Sequence, residues 1–216
     1  MVKKQILDIF VNFSDNLPYH GHIINERYIH HSFSHLLQQS YNKLDLFGNT
    51  SEIKIHPEWP TSKKATKLQY SKYKKIGKKY FPSDNGTAGF IDFAIGDYNR
   101  PEIGIELTFK EHWSKEELTY DFLKLLDSKN PFSCVFSFNV LYRDKELVKG
   151  NSYKDLELAI ISSLNEARER LKERFSQDRV FYIIITEIDH QNNRQHWFKD
   201  WTMNGFQRYT NLKSQT

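Results

Sequence analysis

The chain carries a single cysteine, Cys134, among 216 residues, so it has no intramolecular disulfide. Its apolar setting, from Phe132 to Phe138, predicts a buried strand thiol, and redox chemistry is not expected. Proline and glycine are sparse, at six and nine, which excludes collagen-like and low-complexity chains. No apolar run exceeds the six residues from Val180 to Ile185, far short of the roughly 20 that a membrane-spanning helix needs. Asp8 interrupts the apolar stretch behind Lys3 and Lys4 and no small-residue cleavage site follows, so a cytoplasmic chain is expected. Neither a P-loop nor a dinucleotide glycine pattern is present, and no Gly-x-Ser-x-Gly elbow occurs, which removes those nucleotide-binding and serine-hydrolase classes. With 38% hydrophobic and 27% charged residues, the chain reads as one globular domain over residues 1–216.

Acid is missing from one stretch. Between Glu58 and Asp84 no Asp or Glu occurs, while Lys63, Lys64, Lys67, Lys72, Lys74, Lys75, Lys78 and Lys79 do. Net charge is +4, so without these eight lysines the remainder carries −4. Tyr70, Tyr73 and Tyr80 are interleaved with them. Lysines neutralise phosphates and flat rings stack on bases, so the segment fits a nucleic-acid backbone; the competing reading is a solvated loop.

Residues 23–39 show helical spacing through Ile24, Tyr28, His31 or Ser32, His35 and Leu36, on an unusually polar face. Residues 42–86 read as a basic insertion or mobile segment, with a short strand at 52–55 and breaks at Pro57 and Pro60. Two β-rich runs, 89–95 and 103–109, are separated by turn formers and predict an antiparallel hairpin. A helix follows over 114–126, with Ser114 and Glu117 as a capping box and Leu118, Phe122 and Leu125 as its stripe. Then come a buried strand at 132–141, a helix over 153–175 on Leu156, Ile160, Leu164, Ala167 and Leu171, and a second buried strand at 180–186. Residues 190–216 form an aromatic C-terminal appendage, read as a docked helix or as a surface for a homodimer or protein partner. The expected fold is an α/β sandwich with a central mixed sheet.

Strand alternation places Glu106, Thr108 and Lys110 on one face, and Asp92 lies on the preceding strand. Two carboxylates inside a hairpin are costly unless compensated. Either a divalent cation bridges them, Mg²⁺ being suited to one or two carboxylates plus waters, or one acid is solvated at the edge while the other pairs with Lys110 or Lys124.

The run Gly89-Phe-Ile-Asp92, a turn, Ile103-Gly-Ile-Glu106-Leu-Thr-Phe-Lys110 and a helix with Asp121-Phe-Leu-Lys124 resembles the core of the PD-(D/E)XK nuclease superfamily, the restriction-endonuclease-like fold. The likeness covers residues 89–141 and, loosely, the leading helix. It implies a three-layer sandwich in which Asp92, Glu106 and Leu107 are the metal positions for Mg²⁺, with Mn²⁺ as substitute, and a lysine assists the nucleophile. It also implies that Glu26, on the leading helix, reaches the metal site. The chain departs from the pattern at Thr108, where the family has lysine. Lys110, on the same strand face, is the first candidate to replace it and Lys124, on the following helix, the second.

Of nine histidines, five fall between His20 and His35: His20, His22, His30, His31 and His35. His31 and His35 stand one turn apart, yet no zinc signature is met, so these rings are expected near phosphate, near the acids, or on the surface. Two functions follow. One is a Mg²⁺-dependent nuclease acting on nucleic acid, DNA first, and by family association a restriction or anti-phage defence component. The other is a binding or protein-interaction module on the same fold that has lost its chemistry.

Overall fold

The computed structural model describes residues 2–17, 25–41, 55–61, 73–83, 86–110, 114–142, 153–200 and 207–208. Its elements run α1 (Val2–Asp15), α2 (Glu26–Tyr41), β1 (Ile55–Pro60), β2 (Tyr73–Ile76), β3 (Lys79–Pro82), β4 (Phe90–Asp97), β5 (Arg100–Lys110), α3 (Lys115–Leu126), β6 (Cys134–Tyr142), α4 (Tyr153–Leu171), β7 (Val180–Ile188), β8 (Arg194–Asp200) and β9 (Gln207–Arg208). A seven-stranded mixed sheet has the order β1-β4-β5-β6-β7-β8-β9, and β2 and β3 form a separate hairpin.

Strands β5, β6 and β7 are parallel neighbours, linked through α3 and α4. Successive crossovers of one hand that advance in one direction put both helices on one face. Accordingly Leu118, Phe122, Leu156, Ile160 and Leu164 share a core with Ile91, Val135 and Ile183. On the other face α1 and α2 cover Phe93, Ile105, Leu107 and Phe138. The expected layered α/β arrangement is therefore present: helices, mixed sheet, helices. Strand β6 is buried at all nine positions, Cys134 among them, and its two polar residues are paired, Asn139 donating to Ser137 Oγ at 3.0 Å.

Four elements differ from the sequence expectation. Helix α1, passed over as a leader-like start, buries Ile6, Phe10 and Phe13 at helical spacing. Helix α2 turns a different stripe inward: Ile29, Phe33 and Leu37 are buried, while Tyr28 is half exposed. The face was polar because it is the outer one. Strand β1 absorbs Pro57 and Pro60, which an edge strand tolerates, with Glu58 between them at φ 49°. The C-terminal segment does not start as a docked helix: β8 pairs with β7 and brings Trp197 and Phe198 into the sheet. Trp201, Phe206 and Tyr209 lie outside the described residues, as do His20 and His22.

Among the described residues no helix is long and apolar enough to cross a membrane.

Candidate active site

Strand β4 rolls at Asp92. Ile91 belongs to the core under α3 and α4 whereas Phe93 belongs to the core under α1 and α2, although the two are alternate residues. Both ladders skip this position: β1 pairs with β4 on either side of it, and the pairing of β4 with β5 ends at Phe93 and Ile105. Beyond that point the Leu107 amide would lack a partner, and the Asp92 carboxylate takes its place, accepting from Leu107 N at 2.7 Å. The Leu107 carbonyl meets His30 Nε2 at 3.4 Å, and the same nitrogen lies 3.7 Å from Asp92 Oδ2. A backbone oxygen released from the ladder thus stands next to a carboxylate.

Glu106 points to the opposite face, toward α3, and is 2% exposed. Lys124 enters from that helix. Its Nζ lies 2.7 Å from Glu106 Oε1 and 3.0 Å from Asp121 Oδ1, and donates to the Phe90 carbonyl at 2.9 Å. The contact with Glu106 is a short, charge-assisted one to an oxygen that is fully buried. Burial, then the charge of Asp92, push the Glu106 carboxyl well above its ordinary range, and Lys124 offsets only part of this. Burial alone would lower the pKa of Lys124, but Glu106, Asp121 and Asp92 outweigh it and raise it, so the ammonium is retained. Three carboxylates surround one lysine. The surplus negative charge and the all-oxygen donor set of Asp92, Glu106 and the Leu107 carbonyl fit a hard divalent cation completed by waters. Among the described residues no group of three His, Cys, Asp or Glu side chains is arranged to hold a metal by itself.

These groups open into a cavity of about 640 Å³. Glu26, the first residue of α2, reaches its wall, and from the β2–β3 hairpin come Lys75, Lys78 and Tyr80. No family model, curated protein or solved structure matches the chain. The geometry alone must therefore carry the functional argument.

The structure brings together Asp92, Glu106, Leu107, Lys124 and Glu26, with Lys75 and Lys78 on the same cavity. Lys110 ends β5, and its side chain lies outside the described residues, as do Lys63, Lys64, Lys67 and Lys72. Lys74 is exposed and is not on the cavity wall; Lys79 turns away to Glu166, at 3.1 Å. Sequence reading missed Asp121 as a site residue, though it precedes Lys124 by three and so shares its helix face. It also missed Tyr120, whose ring stacks on Tyr80 with centroids 4.2 Å apart and lies 5.1 Å from Lys124 Nζ.

Behind the hairpin sits an ion network. Arg170 bonds both oxygens of Glu116 and also contacts Glu166, which in turn pairs with Lys79 and Lys115. Burial acts to raise the pKa of Glu166, but hydrogen bonds from Arg170, Lys115 and Lys79 outweigh it and lower the value from 4.5 to about 2. A depressed carboxyl stabilises the fold above its unfolded pKa and loses that contribution as pH falls through the folded value. Melting temperatures recorded from pH 4.5 down to about 2 should therefore fall more steeply in the wild type than in Glu166→Gln. Parallel curves would show that the network adds no pH-linked stability.

Proposed function

We propose that this chain is a metal-dependent nuclease on a restriction-endonuclease-like sandwich, hydrolysing phosphodiester bonds in nucleic acid, with DNA as the first substrate to test. The observation that carries this reading is the meeting of Asp92, Glu106, the Leu107 carbonyl and Lys124 in one cavity whose wall also bears Lys75 and Lys78. Asp92, Glu106 and Leu107 would hold Mg²⁺ or Mn²⁺, which when bound polarises a phosphoryl oxygen and offsets charge developing on the leaving oxygen.

The protein's own groups do the rest. Asp92 is fixed by the Leu107 amide, so its second oxygen is oriented before substrate arrives. Lys124 is fixed by Phe90 and Asp121 and stays protonated, so it is no base; its third N–H, which faces Glu106 Oε1 at 2.7 Å, is the one that would donate to the attacking water or to a phosphoryl oxygen. It takes the role that Thr108 is unable to fill, and does so from the helix; we assign it ahead of Lys110. Helices α1 and α2 close the far side of the sheet, so water reaches these groups through the cavity.

The binding-module reading is favoured by one feature: Lys124 already neutralises Glu106, as a protein without metal would need. A plasmid-nicking assay separates the two. Supercoiled DNA should be nicked with Mg²⁺ or Mn²⁺ and left intact in EDTA. Retention of DNA with no cleavage under either metal would leave the binding module.

A further inference from the structure

We propose that Glu116 and Arg170 form a latch that holds the β2–β3 hairpin at the cavity so that Lys75 and Lys78 bind the phosphate beside the one attacked. The inference rests on the nuclease reading of this cavity and names its substrate class as a polynucleotide backbone, not a lone phosphodiester.

The hairpin has four residues in each strand, and Gly77 supplies the left-handed turn at φ 62°. A two-stranded hairpin is marginal alone. Tyr73 anchors one end: it is 2% exposed, and its hydroxyl donates to Asp127 at 2.6 Å. The other strand is held by direction-specific bonds. Tyr80 N donates to Glu116 Oε1 at 3.0 Å, and Arg170 donates to Tyr80 O at 3.0 Å. Both backbone groups of one residue are read by two side chains, from α3 and α4, that also bond each other at 2.9 and 3.0 Å. The Arg170 side chain is 4% exposed. An ion pair taken out of water is a poor source of net stability but a strong source of fixed geometry. What it fixes is where the hairpin docks, and with it the place of Lys75 and Lys78 on the cavity wall. Asp92, Glu106 and Lys124 account for one phosphate. Lys75 and Lys78 share the cavity wall with Glu26, Glu116 and Glu117, of which Glu116 is engaged by Arg170; the two ammonium groups would meet a second phosphate, which a nucleic acid carries on the adjoining nucleotide. Lysine is a point charge that lacks the guanidinium fork, so this contact carries no base preference.

The test reads affinity without hydrolysis: fluorescence anisotropy of a short DNA duplex in EDTA across a salt series. Lys75→Ala combined with Lys78→Ala should flatten the slope of log K against log salt by about 1.8, two contacts' worth. Glu116→Ala is the discriminating variant. By charge alone, losing a carboxylate beside the cavity strengthens binding of a polyanion; the latch requires weaker binding and a flatter slope. In the triple variant Glu116→Ala should add nothing, since the lysines it positions are gone. Glu116→Gln, whose amide oxygen still accepts from Tyr80 N, should recover most of the wild-type slope. Arg170→Lys, which keeps the charge but loses the fork, should weaken binding and covers the case in which Glu116→Ala does not fold. Tighter binding by Glu116→Ala, an additive triple variant, or wild-type binding by Arg170→Lys overturns the latch. Cleavage by the wild type in Mg²⁺ is scored separately. Latch-dependent binding without cleavage removes the nuclease reading and keeps the latch, whereas cleavage with latch-independent binding removes the latch alone.

Discussion

Glu106→Gln should reduce DNA cleavage by about three orders of magnitude, equivalent to roughly 4 kcal/mol of barrier, while leaving the fold intact. The amide keeps the shape of the side chain but removes the carboxylate charge that would hold the metal. Lys124 is not orphaned by the change, because Asp121 Oδ1 at 3.0 Å and the Phe90 carbonyl at 2.9 Å still hold it. Asp92→Asn should give a loss of the same order: its carbonyl oxygen still accepts from Leu107 N, so the splay between β4 and β5 survives while the ligand charge does not. Rates at saturating Mg²⁺, with melting curves alongside, check both. A double variant that still cleaves would sink the assignment of these two acids.

Lys124→Met should be costly in two separable ways. The Lys124 side chain is 7% exposed and faces a Glu106 side chain that is 3% exposed. Removing one partner of a buried pair leaves the other uncompensated, at roughly 3 to 5 kcal/mol. For a chain of this size each kcal/mol shifts the melting temperature by about 2 to 4 °C, so a fall of roughly 10 °C is expected. Adding Glu106→Gln should restore much of that stability, since a neutral pair of similar shape leaves no buried charge unpaired. Cleavage should stay lost in both variants, and Lys110→Ala should lower the rate far less. Melts and rates across the double-mutant cycle decide the matter. If the double variant melts no higher than Lys124→Met, the pairing with Glu106 is not what Lys124 contributes to the fold.

The elements that carry strong local signals were legible. The N-cap at Ser114 stands, with its hydroxyl accepting from Glu117 N, and the stripe of α4 is buried at every position named from the sequence. The hairpin was legible from its turn formers, and Lys124 from its place on the helix behind the strands. What sequence order does not encode is how side chains from distant elements meet. Helix α2 shows this: Ile29, Phe33 and Leu37 are as regular as the stripe read from the sequence, and only packing against Phe93 and Phe138 selects between them. The roll at Asp92 breaks the strand period of two, so alternation counted across it assigns one side of the strand wrongly. Arg170 carries no signal in the sequence, because its partners lie 54 and 90 positions away.

Among the described residues strand β1 ends the sheet, and two of its six residues are prolines. Neither has an N–H to offer an incoming strand, and Glu58 between them, at φ 49°, bends the backbone out of the extended path such a strand would follow. This border is therefore a poor template for β-addition. Crowded copies of the chain are not expected to fuse their sheets edge to edge here, and amyloid-type growth has no start along this side.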